Sequence, residues 1–153
     1  AEAARADAAV ADRLALAAGV TADAVTLDSS HHRATVRAAP LPGATMGTYR
    51  ALEGRVAAAS PGWDVRLIPP IAPVAPVSFA NGAPDDAGQA AIADAVWGAG
   101  RLQLAVTVAG SGKVADQVAA TLGTAGATVV RVRGSRRAPI ALGWQVISTG
   151  GGA

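Results

Sequence analysis

The sequence predicts an α+β protein of two small α/β sandwiches, αββαβ followed by βαβαββ. Three observations predict it. Apolar residues switch repeatedly between a period of two and a period near 3.6. A proline-rich stretch, PPIAPVAP (69–76), divides the chain near its middle. The 153 residues, 51% of them hydrophobic, suit one ordinary domain or two small ones. Residues 1–68 are expected to form the first unit, 69–76 a linker, 77–149 the second unit, and 150–153 a flexible tail.

Residues 3–18 read as a helix with Val10, Leu14 and Ala17 on one face, stopped by Gly19. AVTLD (24–28) and RATVRA (33–38) are short alternating strands joined by DSSHH. Pro40, Pro42 and Gly43 break the chain, and Thr45 can cap a helix whose stripe is Met46, Tyr49, Leu52 and Val56. That helix ends before Ser60-Pro61-Gly62, and GWDVRLI alternates Trp63, Val65 and Leu67 along a third strand. With four prolines in eight residues, 69–76 cannot be a helix or central strand, and polyproline II geometry makes it a semi-rigid spacer.

The second unit opens with a strand, Val77 to Ala80, and an NGAPDD turn. Asp85 or Asp86 can cap a helix to about Gly98 that buries Ile92, Val96 and Ala99. Leu102, Leu104, Val106 and Val108 alternate along a strand, GSGK (110–113) forms a loop, and Val114, Val118 and Leu122 share a helical face. ATVVRVRG (127–134) is the next strand, with Val130 and Val132 inward and Arg131 and Arg133 outward. A turn at Pro139 leads to a last strand, about Leu142 to Ser148.

Composition bounds the function. Cysteine is absent, which excludes disulfides and thiolate chemistry but fits any compartment. No apolar run reaches the roughly 18 residues of a membrane span. The opening AEAARADAA lacks Met and a signal-like pattern, and reads as a mature or excised segment, a start compatible with removal of an upstream signal or membrane anchor. The formal net charge is only +2, but no acidic residue follows Asp116, while Arg131, Arg133, Arg136 and Arg137 cluster. Such a cluster can meet an anionic partner, or can simply guard a strand edge against aggregation.

The chemical motifs are few. GSGK at a helix start invites comparison with a phosphate loop, G-x-x-x-x-G-K-[ST]. Thr107 stands where the first glycine belongs, and Val114 replaces the metal-binding hydroxyl. What survives is a possible anion loop of Ser111, Gly112 and Lys113. His31 and His32 with Asp28 lack further ligands for a usual metal site and read as an exposed turn. Asp85-Asp86 reads as a helix cap rather than a catalytic pair. No nucleophile elbow is present, and no catalytic residue, metal site or cofactor is assigned.

Over 77–148 the chain resembles an OmpA-like domain, the peptidoglycan-binding module of bacterial envelope proteins. The matching stretches are PVSFANGAPDDAGQAAI, VTVAG, GSRRAPIA, and Ala115, Val118 and Leu122 on the family's A-x-x-V-x-x-x-L spacing, followed by Gly126. The family's loop runs from T-D through an Asn to L-S-x-x-R-A. Here it has shortened to Ser111-Gly112-Lys113, with no Asp or Asn, and Val114 takes the arginine's place. In that family the two lost charges grip the diaminopimelate of the peptide stem, and valine cannot replace a guanidinium. The usual peptidoglycan binding is therefore not expected.

Residues 1–68 resemble a BON domain in their α-β-β-α-β order and closing PGWDVRL, similar to the family's G-V-x-x-V strand. The two resemblances imply a non-enzymatic, periplasmic or membrane-associated cell-envelope module with a degenerate ligand loop. Its partner would be an envelope protein or an anionic envelope component. Alternatives are an arginine-patch binder of anionic lipid headgroups or cell-wall polymer, and an anion- or nucleotide-binding protein using GSGK. Nucleic acid is disfavoured, because aromatics are not interleaved with the arginines.

Overall fold

The structure is a computed structural model that describes residues 2–134 and 139–147. The described residues form a mixed α and β protein with four α-helices and three small sheets. The chain divides into two compact units, Ala1–Ala44 with Thr48–Ala72, and Thr45–Gly47 with Pro73–Ala153. The main cut falls inside the proline-rich stretch. No helix among the described residues is long and apolar enough to cross a membrane.

In the first unit α1 (Glu2–Ala18) buries Val10, Leu14 and Ala15, and Gly19 follows it at φ 71°. The left-handed residue that ends a helix is most cheaply a glycine. Strands β1 (Val25–Asp28), β2 (Arg33–Arg37) and β3 (Asp64–Ile68) form one sheet in that order. β1 and β2 are antiparallel, while β2 and β3 are parallel and so need the crossover helix α2 (Met46–Ala58) between them. The expected stripe is buried, with Met46 and Val56 at 0% exposure. The Tyr49 hydroxyl accepts from the Leu41 N–H at 2.9 Å and donates to the Ala39 carbonyl at 3.2 Å, which ties the proline-containing connection to α2.

The second unit opens with a feature the sequence reading missed. Asn81 (φ 54°) and Gly82 (φ 80°) both take left-handed dihedrals and join β4 (Phe79–Ala80) to β5 (Ala83–Pro84) as a tight antiparallel hairpin. Asn-Gly suits that two-residue turn because both residues tolerate positive φ. Asp85, not Asp86, is the N-cap of α3 (Asp86–Leu102). The helix runs past Gly98 and takes in Leu102, which the alternation had placed in a strand. Gly98 is a packing glycine rather than a stop, since a Cβ there would lie 2.9 Å from the Trp144 ring. Arg101 lies 5.4 Å over the Trp97 ring one turn earlier and supports the added turn, and Gln103 ends the helix at φ 54°.

Strand β6 (Leu104–Ala109) is central, with β7 (Val129–Val132) parallel on one side and β8 (Ala141–Val146) antiparallel on the other. α4 (Lys113–Thr124) connects β6 to β7. Val77 forms a bridge to Ile140. The core packs Val106, Val108, Ile140 and Leu142 against Ile92, Ala95 and Ala99 of α3 and Ala115, Val118 and Leu122 of α4.

The register corrects the expected orientation of β7. Val106 pairs with Val129 and Val108 with Arg131, so Val129 and Arg131 share the helix-covered face. Val130 and Val132 face the opposite way, and Val132 is 38% exposed. Alternation fixes which residues go together, but not which set faces in, and the ion pair described below draws Arg131 to the helix side. The expected flexible tail, 150–153, lies outside the described residues.

Candidate functional site

The end of β6, where the chain turns into α4, gathers most of the expected contact residues. Gly110 is buried at φ 156°, and an added Cβ would press on the Ile140 side chain at 2.4 Å. Gly112 is the N-cap of α4 at φ 88° with no side-chain cap. A helix start leaves its first N–H groups without intrahelical partners, and the helix dipole adds partial positive charge. The parallel return of β7 brings Arg131 and Arg133 beside this turn. Gly110, Ser111 and Gly112 with Arg131, Val132, Arg133 and Gly134 line an open cleft of about 440 Å³.

Two of the three expected loop residues and two of the four arginines therefore line one cleft. Lys113 begins α4 and is exposed, but is not among the lining residues. Arg136 and Arg137 lie outside the described residues.

Beside the cleft stands Asp116, noted in the sequence only as the last acidic residue. Arg131 Nη1 donates to Asp116 Oδ1 at 2.6 Å, and Nη2 reaches the Gly110 carbonyl at 3.4 Å. Asp116 stands in the first turn of α4, where a carboxylate also suits the dipole. The pair anchors the guanidinium at the rim and offsets part of its charge. Arg133 carries its charge exposed at the cleft. The signal for Asp116 was available: a strand returning parallel after a helix passes beside that helix's first turns.

The histidines lie in the other unit and diverge. His31 Nδ1 is 2.8 Å from Asp28 Oδ2, and Ser30 donates to Asp28 Oδ1 at 2.8 Å. These hydrogen bonds, Ser30 first and then His31, hold the Asp28 carboxyl below its usual range. Ser30 Oγ also lies 3.1 Å from His31 Nδ1, the same nitrogen that meets Asp28. A serine–histidine–aspartate relay needs the two ring nitrogens on different partners, so this geometry does not form one. His32 takes φ 47° and stacks on Trp63 with ring centroids 5.1 Å apart. Among the described residues no group of three or more His, Asp or Glu could hold a metal ion.

Asp85 accepts from the Gly88 N–H at 2.8 Å and from the Ser78 hydroxyl at 2.5 Å. Both bonds, that from Ser78 foremost, lower its pKa. Its role is to start α3. Comparison with protein-family models, curated proteins and solved structures finds no match.

Proposed function

We propose that the chain is a non-enzymatic module of the bacterial cell envelope, a BON-like αββαβ unit followed by an OmpA-like βαβαββ unit with a degenerate ligand loop. The cleft at the end of β6 contacts an anionic envelope component. The α-β-β-α-β order of the first unit supports the topological half of this reading, as does the Val77–Ile140 bridge, which sets the opening segment of the second unit beside β8; the β4–β5 hairpin ahead of α3 departs from a plain βαβαββ order. The observation that carries the functional half is the convergence of the Ser111-Gly112 turn with Arg131 and Arg133 on one cleft. Backbone N–H groups at a helix start and exposed guanidinium groups both favour a phosphate or carboxylate.

The short loop argues against gripping a diaminopimelate stem, because its charged positions are gone and Val114 is only half-buried against the core. Flotation with vesicles containing phosphatidylglycerol, across a salt series, tests the reading. Binding should fall with salt and drop severalfold when Arg131 and Arg133 are both replaced by Ser. Binding indifferent to that double replacement would contradict it. Saturable sedimentation with purified peptidoglycan, displaced by free diaminopimelate, would overturn the degenerate-loop half.

A further inference from the structure

β7 is the outer strand of its sheet, with β6 on one side only. The Val106 N–H donates to the Thr128 carbonyl at 2.8 Å, and Val106 is in register with Val129. In a parallel ladder with that phase, Val130 and Val132 direct their backbone groups at β6, while the N–H and C=O of Val129 and Arg131 point away. Among the described residues no hydrogen bond to these outward groups is found. At Gly134, just past β7, the chain runs against the end of β6, where an added Cβ would sit 2.5 Å from the Gly110 nitrogen.

We propose that this edge of β7 accepts an extended protein segment as an added strand, one that alternates acidic and apolar residues. The alternation follows from the two faces of β7. A residue set opposite Arg131 lies on its face, where a carboxylate meets the guanidinium beside Asp116. A residue opposite Val130 or Val132 lies on the other face, where Val132 is 38% exposed and gains from an apolar neighbour. Charge complementarity selects the partner: Arg131 and Arg133 lie on and just past β7, Asp116 is the acidic group paired there, and no acidic residue follows Asp116 in the chain. The same arginines that deter an indiscriminate apolar strand thus admit an acidic one. The inference stands apart from the envelope reading, because it uses the outer edge of β7 rather than the cleft at its end.

A short capped peptide of alternating Glu and Val is the probe, titrated into the full ¹⁵N-labelled chain. Saturable binding is expected, with shifted and exchange-protected amides at Val129 and Arg131. N-methylation of the peptide amides that face the edge should weaken binding by about tenfold or more, since each methyl removes a strand hydrogen bond. The Lys-for-Glu peptide should not bind. Val129→Pro should abolish binding while keeping the sheet, because the Val129 N–H takes no part in the β6 ladder. Should a melting curve show that variant unfolded, the N-methyl peptide on the native chain decides. Equal binding of the N-methylated peptide would reduce the effect to charge and overturn the proposal. So would sedimentation equilibrium showing β7 occupied by a second copy that excludes the peptide. Losing peptide binding through Val129→Pro while keeping vesicle binding would separate the edge from the cleft.

Discussion

Asp85 concentrates three duties in one residue: its carboxylate caps α3 and accepts from the Ser78 hydroxyl, and its backbone N–H donates to the Ser78 carbonyl at 3.1 Å. Its folded pKa is depressed. The stability it contributes is therefore fully present above its unfolded pKa and is lost as pH falls through the folded pKa. Asp85→Ala should lower the melting temperature at neutral pH, and the gap from the native chain should shrink in acid; melting curves across that range check the sign. Gly88, on the same turn, offers a counter-intuitive outcome. Alanine in a helix is ordinarily about 1 kcal/mol better than glycine. Here an added Cβ would stand 2.2 Å from the Ser78 carbonyl oxygen, a backbone atom held by the cap. Gly88→Ala should therefore destabilise in urea unfolding despite the gain in propensity.

At the scale of elements, α4 is the clearest case of sequence dictating structure. Ala115, Val118 and Leu122 are all at 0% exposure and form its packed face. Leu122→Ala should cost about 2–5 kcal/mol, read by denaturant unfolding at unchanged m-value. The stripe of α2 was equally legible, since a helical period admits one buried face. β7 was not: its four residues, V-V-R-V, place valines on both faces, so periodicity cannot tell inside from outside. The end of α3 was misjudged for a related reason. Gly98 looks like a stop in sequence, yet a Cβ there would lie 2.9 Å from the Trp144 ring, and only the fold reveals that demand. The Asn81-Gly82 hairpin carried a readable signal, obscured by strands of only two residues each.

For the whole molecule, the mixture of helices and strands followed from pattern, because apolar residues of either period must find a buried face. The candidate site was legible only as separate parts. The glycine turn and the arginines are about twenty residues apart in sequence, and only the parallel return of β7 beside β6 makes them one cleft. That return also supplied Asp116, which converts Arg131 from a free charge to an anchored one. The exposed Arg131–Asp116 pair should matter little to folding, about 0–1 kcal/mol. Asp116→Asn should thus leave stability nearly unchanged while tightening the hold on anionic vesicles, which a flotation midpoint would register. The most direct measurement of the central claim is an amide-shift map of the chain against small phosphatidylglycerol bicelles. The expected result is that the largest shifts fall at Ser111, Gly112, Lys113 and Arg133 and fade with added salt. Shifts confined to the arginine-bearing strands of the first unit, at Arg33, Arg37 and Arg66, would contradict it.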